Sequence, residues 1–274
     1  MIQNIGVTQW FLDCPPGPIS LYRAKELGFS YIHINAGCPQ EPYFIGNSET
    51  VIKYQSAMSK CLITITAISI NAFEKNNFLT NYETIDTTFA GIIREALQGA
   101  QALNVPVVYL PSFGYGEIKN LAQLKVTARI LEYACDCAAN LNITIATENT
   151  LSAVENRVLF QKVNRPNLKL LVDSQNPLLW NHAATDLIEL FYSKMVDQVH
   201  IKDGINKTMG NARLGTGDGN LVQTLESLYS KGYDGLLILE NDYSQNASIY
   251  VTEDLIRLNC ILDTINMTPR HATN

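Results

Sequence analysis

Four side chains that commonly bind metal ions accompany four successive apolar segments in the second half of the chain. Glu148 ends ITIATE, Asp173 ends LKLLVD, Glu240 ends GLLILE, and His200 lies within QVHIKD. Each alone has an ordinary interpretation, because an acidic residue after a strand is often a turn former and a single histidine is often a hydrogen-bonded structural residue. Three carboxylates that converge on one point are, however, electrostatically costly without a cation. The set therefore predicts a metal centre.

The ligand types indicate which metal and which chemistry to expect. Three carboxylates and one imidazole form a hard, oxygen-rich set, which favours Mn²⁺, Mg²⁺ or Co²⁺ over a closed structural zinc site. We expect one divalent ion, Mn²⁺ first, with Mg²⁺, Co²⁺ and Zn²⁺ as alternatives. Such an ion, with open positions, acts as a Lewis acid that can bind the carbonyl and adjacent hydroxyl of a polyol and stabilise an enediolate. The expected chemistry is proton transfer next to a carbonyl.

The elements that must position these side chains are short apolar, β-branched segments that alternate with helical ones along the whole chain. Eight such segments occur, and a parallel sheet built from them would collect functional groups at the carboxyl ends of its strands. The predicted strands are 4–8, 30–35, 62–70, 105–110, 142–148, 168–173, 198–203 and 235–240.

The segments between the strands carry helix signals. Ser152 with Glu155 forms a capping-box pattern, Asn220 can cap the helix that follows it, and Gly28 and Gly232 stand where helices are expected to stop. Apolar residues recur at helical spacing in the longer stretches. Helices are predicted over 82–102, 120–140, 153–163 and 221–231.

Eight β–α units predict an α/β protein with one (β/α)8 TIM barrel domain over 1–274. An open doubly wound sheet would also alternate, but QWF follows the first strand where a nucleotide-binding fingerprint would stand. Strand parity supports an inward aim for two of the candidate ligands: Glu148 shares a face with Ala146, and His200 shares one with Lys202. Both faces of the last strand are apolar, so parity does not orient Glu240.

Composition excludes several classes of protein. Charged residues make up 17% of the 274 residues, below the roughly 25% of an average soluble protein, which argues against disorder. A net charge of −6 without a basic run argues against nucleic acid as a partner. No apolar run is long enough to span a membrane and no signal peptide is evident, so we expect a cytoplasmic protein. Its six scattered cysteines are expected to be free and to act as buried small apolar residues. A homo-oligomer is compatible with the sequence.

The motifs ATENT, LVDSQN, VHIKDG followed by ARLGTGD, and LILEN, together with PSFG (111–114), resemble the xylose-isomerase-like TIM-barrel superfamily, in particular its sugar isomerase/epimerase branch. The resemblance covers essentially the whole chain. It implies that Glu148, Asp173, His200 and Glu240 bind the metal, and that the two glutamates act as acid and base. It also implies that Arg213 contacts substrate oxygens.

Two positions depart from that branch. Asn176 stands where several epimerases have a histidine that binds a substrate oxygen, and an amide can hydrogen-bond but cannot act as an acid. His33 stands in YIHIN where many relatives have an inward glutamate, and it either lines the pocket or is a satisfied core histidine. Trp10 and Phe113 are candidates for an apolar wall against the substrate.

Several functions are compatible with these features. The first is a metal-dependent isomerase or 3-epimerase of a ketose or related polyol; the second is an inosose-type dehydratase on the same site; the third is a non-catalytic sugar-binding barrel. Endonuclease IV also belongs to the superfamily, but the acidic net charge argues against a DNA substrate. The segment LGTGDG (214–219) is a shaped barrel loop or, alternatively, a phosphate-binding turn, so phosphorylation of the substrate stays open.

Overall fold

Eight parallel strands form a closed barrel in chain order, in which β8 pairs with β1. The computed structural model describes residues 4–79 and 84–267. The predicted single (β/α)8 TIM barrel is confirmed. Its strands are β1 Ile5–Thr8, β2 Tyr31–Asn35, β3 Thr64–Ser69, β4 Val107–Ser112, β5 Thr144–Asn149, β6 Leu168–Asp173, β7 Met195–Ile201 and β8 Leu236–Leu239.

Helices follow each strand and form the outer layer. Two of them, α3 and α7, are single turns at the carboxyl ends of β3 and β6, which places them beside the mouth of the barrel. The helices are α1 Ile19–Glu26, α2 Ser48–Cys61, α3 Ala72–Lys75, α4 Thr87–Ala102, α5 Leu121–Ala138, α6 Ala153–Val163, α7 Asn176–Leu179, α8 Ala184–Phe191, α9 Leu221–Ser230 and α10 Ala247–Met267.

Most helix-end signals act as predicted. Ser152 and Glu155 form both hydrogen bonds of a capping box. Gly28 and Gly232 follow α1 and α9 with φ of +92° and +77°, which are left-handed conformations that glycine adopts without strain. Asn220 does occupy the residue before α9, but its own backbone is left-handed and its side chain makes no capping hydrogen bond. The predicted side-chain cap at Asn220 is therefore wrong.

Most predicted boundaries differ from the structure by no more than two residues, and two differ by three or more. The helix expected over 82–102 begins at Thr87, because the Asp86 carboxylate accepts the backbone N–H of Phe89 and fixes the first turn there; positions 82 and 83 lie outside the described residues. The strand expected over 198–203 runs over Met195–Ile201. Lys202 and Asp203 consequently follow the strand and belong to the mouth of the barrel.

The core has two compartments that reflect strand alternation. Ile145 and Val199 pack between the sheet and the helices. A smaller cluster fills the barrel interior and includes Ala146 on β5 and Val196 on β7. Glu148 has the parity of Ala146, and His200 has the parity of Val196, so both side chains face the interior, as predicted.

All six cysteines are free thiols, but only Cys61 and Cys135 are buried. The expectation that the cysteines are buried apolar residues is therefore wrong for the other four, of which Cys260 is exposed. No helix in the described part of the chain is both long and apolar enough to cross a membrane.

Candidate metal centre

The four predicted metal ligands meet at the carboxyl-end mouth of the barrel. Glu148 is on β5, Asp173 ends β6, His200 is on β7 and Glu240 follows β8. All four are buried, and one ligand atom from each lies within 4.8 Å of those of the others. Asp173 and His200 are direct partners in the β6–β7 register. Strand order thus brings together residues that are up to 92 positions apart in the chain.

A chain of buried hydrogen bonds sets the orientation of His200. The Gln198 amide nitrogen donates to the carbonyl of Thr66 at 3.1 Å, so its oxygen accepts from Nε2 of His33 at 2.5 Å. Nδ1 of His33 is then an acceptor, 3.1 Å from Nε2 of His200. The tautomer of His200 is thereby fixed, and its Nδ1 is left facing the three carboxylates.

The charges of the two histidines fit this arrangement. Burial and the neighbouring His200 lower the pKa of His33 to about 3, so His33 is neutral. Burial alone would lower the pKa of His200, but Glu240 and Glu148 raise it to about 10. Nδ1 of His200 lies 3.1 Å from Glu240 Oε2 and 3.3 Å from Glu148 Oε2, yet it makes no hydrogen bond. A metal ion would replace the proton on this nitrogen.

Lys202 is a site residue that was not among the predicted ones. It is 3% exposed, and its ammonium lies 2.7 Å from Glu240 Oε2 and 3.1 Å from Asp173 Oδ2. Burial raises the pKa of Glu240, but the charges of His200 and Lys202 outweigh it and hold that pKa well below its usual range. In the sequence, Lys202 shares a strand face with His200, and this was the signal that could have identified it as a site residue. Its ammonium neutralises part of the carboxylate charge.

The two glutamates have different hydrogen-bond donors. Asn176 donates its amide N–H to Glu148 Oε1 at 2.8 Å. Trp10 donates its indole N–H to Glu240 Oε1 at 3.0 Å. The structure therefore brings both of these predicted residues to the site, where each orients one carboxylate. Glu240 has the additional ammonium of Lys202 on its other oxygen, so the two carboxylates have different electrostatic surroundings.

A cavity of about 130 Å³ opens above these groups. Its wall includes both glutamates and Lys202, and Phe113 and Trp10 also line it. That these two rings form an apolar wall against a substrate stays a prediction. Glu74, from α3, also faces it; burial, followed by the charges of the two glutamates, raises the pKa of Glu74 to about 7. A second, larger chamber of about 410 Å³ shares Trp10 with this cavity and is lined by, among others, Gln9, Asn35, Glu41, Tyr43, Tyr54 and Lys75.

Two predicted substrate contacts are not brought to the cavity. His33 is fully buried behind His200, with both ring nitrogens engaged. Arg213 pairs with the buried Asp254, at 3.2 Å, and its guanidinium lies 4.4 Å from the centre of the Tyr250 ring. The geometry gives His33 the role of a hydrogen-bonding partner and Arg213 that of an ion-pair partner of α10. Neither side chain belongs to the described cavity lining.

The glycine-rich segment 214–219 is folded around one carboxylate. Asp203 accepts the backbone N–H groups of Gly215 and Gly217 at 2.9 Å and of Gly219 at 3.0 Å. A Cβ at Gly217 would lie 2.2 Å from Asp203 Oδ1, which explains the glycine there. These three N–H groups already donate to the Asp203 carboxylate, so they are not free to bind a phosphate group. The segment is therefore a shaped barrel loop.

The site residues fit a divalent metal ion. Nδ1 of His200 and Oδ2 of Asp173 are buried and make no hydrogen bond of normal geometry, although each lies 3.1 Å from a group of opposite charge. Buried polar atoms normally make hydrogen bonds, and a metal ion coordinated by both atoms would satisfy them. Both atoms belong to the group of four that converges within 4.8 Å, and the donors are the types that Mn²⁺, Mg²⁺ and Zn²⁺ accept.

Replacing Gln198 with leucine is expected to weaken Mn²⁺ binding by about 10- to 100-fold, because the hydrogen-bond chain that orients the His200 imidazole would be broken. Isothermal titration of the metal-stripped protein measures the affinity. Gln9→Leu is the matched control: Gln9 is equally buried and hydrogen-bonded, but to Gly17, Ser20 and Tyr54. Equal losses in both variants would show that the chain does not orient His200.

Comparison with known proteins gives both sequence relatives and structural neighbours. A 2-epi-5-epi-valiolone 7-phosphate 2-epimerase from an Actinoplanes strain is 26% identical over 256 residues, which is 93% of each chain. An L-ribulose-5-phosphate 3-epimerase from Salmonella heidelberg is 23% identical over 229 residues, 79% of each chain. The structure of a D-tagatose 3-epimerase-like protein superposes with a TM-score of 0.79 at 18% identity, over 96% of this chain and 98% of that one, which shows a shared fold.

The model of the xylose isomerase-like TIM barrel family matches residues 21–257. The match includes all four residues of the candidate metal centre and seven of the eight barrel strands. The family match agrees with the resemblance based on the motifs at the strand ends, and it covers most of the chain. The chain therefore belongs to the xylose isomerase-like TIM barrel family.

Proposed function

We propose that this chain is a metal-dependent sugar epimerase or isomerase that moves a proton on a carbon next to the carbonyl of a ketose or related polyol. The observation that carries the proposal is the pair of buried glutamates, Glu148 and Glu240, that share one small cavity and differ in their donors. Proton removal and return need two carboxylates with access to the same carbon. The names of the two sequence relatives, both sugar or sugar-like phosphate epimerases, support the same class.

The proposed roles follow from the contacts of each residue. A bound divalent cation would polarise the substrate carbonyl and stabilise negative charge on its oxygen. Glu148, which Asn176 orients through a neutral hydrogen bond, serves as the base in one direction. In that direction Glu240, whose Oε2 accepts from the Lys202 ammonium, enters the cycle protonated and gives its proton to the opposite face of the carbon; proton exchange of both carboxyls with solvent then resets the site. In the reverse direction the roles exchange.

We propose Glu148, Asp173, His200 and Glu240 as the ligands of one ion. Mn²⁺ is proposed first because three of the four ligands are carboxylates, with Mg²⁺, Co²⁺ and Zn²⁺ as alternatives. We further propose that residues 1–274 form one domain. This is supported by the pairing of β1 with β8, which closes the barrel with strands from the two ends of the chain.

The substrate would place its reacting carbons in the 130 Å³ cavity and the rest of its chain in the adjoining chamber of about 410 Å³. In that chamber the Lys75 ammonium lies 3.6 Å from a Glu41 carboxylate oxygen. The Lys75 ammonium in this chamber is therefore already paired with a carboxylate. Free and phosphorylated ketoses are both candidates, and the test includes each.

The test is proton exchange in heavy water with the Mn²⁺-loaded protein and a panel of ketopentoses and ketohexoses, free and phosphorylated. We expect deuterium to enter one carbon next to the carbonyl of one panel member, and its epimer or aldose isomer to form. Nuclear magnetic resonance and mass spectrometry follow both events, and the metal-stripped protein is the control. Loss of water would instead indicate a dehydratase. No exchange into any panel member would contradict the proposal.

A further inference from the structure

The Tyr109 hydroxyl is a buried polar group without a partner. Tyr109 is 1% exposed, and its hydroxyl makes no hydrogen bond of normal geometry within the described part of the chain. Burial has the larger effect on the pKa of Tyr109 and raises it, although the Ser69 hydroxyl is near enough to lower that pKa in part. Removing a hydroxyl from water without compensation is costly, and such groups are rare in folded proteins. The catalytic roles proposed above make no use of this hydroxyl. Its position therefore requires a separate explanation.

Tyr109 lies on the inward face of β4, directly below the level of the candidate ligands. In the β4–β5 register Tyr109 is opposite Ala146, and Pro111, two residues on, is opposite Glu148. The Tyr109 ring centre is 5.7 Å from that of His200, in an edge-on arrangement. Tyr109 also lines the 130 Å³ cavity. The phenol therefore belongs to the floor of the cavity in which the two glutamates meet.

The cavity holds a second unpartnered polar atom. Asn176 donates its amide N–H to Glu148, which identifies Oδ1 as the free atom of that side chain, and Oδ1 is buried without a partner. A phenol is protonated at neutral pH and can donate, whereas an amide oxygen accepts. One free donor and one free acceptor in the same small cavity complement a hydroxylated carbon chain, whose oxygens both accept and donate.

Other buried hydroxyls without a partner are found away from this cavity. They belong to Thr8, Thr66, Ser112 and Thr127, and none of these residues is among those that line it in the described structure. An unpartnered hydroxyl is therefore not in itself a mark of this site. The combination of burial, a missing partner and a place in the cavity wall distinguishes Tyr109.

We propose that the Tyr109 hydroxyl is a substrate-binding group that donates a hydrogen bond to a carbonyl or hydroxyl oxygen of a polyol in this cavity. The proposal rests on the proposed function, since it needs a hydroxylated ligand there. It adds a specificity determinant on β4, a strand that contributes no metal ligand. A substrate without an oxygen at that carbon would leave the phenol buried and unpaired, and the site would discriminate against it.

A structural role for Tyr109 makes a different prediction. Ser69 is opposite Tyr109 in the β3–β4 register, and its hydroxyl donates to the Asn71 side chain. If the phenol served to hold Ser69, then Tyr109→Phe and Ser69→Ala would both lower the melting temperature. If the phenol instead binds substrate, Tyr109→Phe removes a hydroxyl that is unpaired in the free protein, and the melting temperature stays unchanged or rises.

The experiment compares wild type, Tyr109→Phe and the control Thr127→Val, which removes a buried unpartnered hydroxyl on α5. We expect Tyr109→Phe to lower kcat/KM for the exchanging ketose by about 10- to 100-fold. Affinity of the Mn²⁺-loaded protein for two probes, xylitol and ribitol, is expected to fall by about tenfold for at least one of them, as measured by calorimetry. Thr127→Val should leave both quantities unchanged.

The outcomes separate this inference from the proposed function. Exchange by the wild type with unchanged kcat/KM and alditol affinity in Tyr109→Phe would overturn the inference alone. A lower melting temperature in both Tyr109→Phe and Ser69→Ala, with unchanged alditol affinity, would assign Tyr109 a structural role. Alditol binding that depends on Tyr109, without any exchange, would support the inference and contradict the proposed reaction. Neither binding nor exchange in the wild type would overturn both.

Discussion

Replacing Glu148 or Glu240 with glutamine is expected to reduce epimerisation by at least about 1,000-fold, because each variant lacks one of the two carboxylates that would handle the proton. Glutamine keeps the size of the side chain and one oxygen that can contact a metal ion. Both variants should therefore fold and retain part of the metal affinity. Turnover of the exchanging ketose and metal content after dialysis are the measurements.

The two variants are expected to differ in proton exchange. In the direction in which Glu148 is the base, Glu148→Gln should neither exchange the substrate proton nor form product. Glu240→Gln should still exchange the proton with heavy water while forming no epimer, because the remaining carboxylate can remove a proton and return it to the same face. The reason for this assignment is the difference in donors: Glu148 accepts from the neutral Asn176 amide, whereas Glu240 accepts from the Lys202 ammonium.

Glu155→Gln is the matched control, because Glu155 lies on α6 in a capping box that glutamine can also form. It should leave turnover within about twofold of wild type, as expected of a surface position. Near-normal turnover in Glu148→Gln or Glu240→Gln would contradict the two-glutamate mechanism. Metal loss in both would be recognised from the metal content, and saturating Mn²⁺ would then be added before turnover is measured.

Strand parity was sufficient to predict where two of the four residues of the candidate metal centre lie. Glu148 and His200 share faces with small or polar residues, and alternation along a strand is a local property that can be read directly from the chain. Parity gave no orientation for Glu240, since both faces of β8 are apolar. Its inward position follows from the closure of the barrel, which buries Ile238 completely and brings Glu240 beside His200.

The residues that the pattern did not identify depend on contacts between distant parts of the chain. A lysine at a strand end is usually exposed, and Lys202 is buried only because Asp173 and Glu240 neutralise it. Arg213 follows the family motif, yet the geometry pairs it with Asp254, 41 positions away. The role of His33 depends on its hydrogen bond with Gln198, which is 165 residues away in the chain. Gln198 lies on the same strand as His200, two residues before it.

Replacing Lys202 with methionine is expected to destabilise the metal-free protein by about 3–5 kcal/mol, the usual cost of removing one partner from a buried ion pair. Methionine keeps most of the apolar stem, so the loss is chiefly electrostatic. Among the described residues, His200 would then be the one remaining cation near the three buried carboxylates. Denaturant unfolding in the presence of a chelator measures the free energy, and Lys75→Met, at an exposed ion pair with Glu41, should cost no more than about 1 kcal/mol.

Saturating Mn²⁺ should restore most of the stability lost in Lys202→Met, because an ion among the four ligands supplies the positive charge that the ammonium provided. The stabilisation by Mn²⁺ would therefore be larger in the variant than in wild type. Burial already raises the pKa of Asp173 to about 7 against the opposing charge of Lys202. Without that charge the pKa of Asp173 rises further above its unfolded value, so the metal-free variant should lose stability as the pH rises from 5 to 8. Equal destabilisation with and without Mn²⁺, and at both ends of that pH range, would mean that Lys202 contributes by packing rather than by charge.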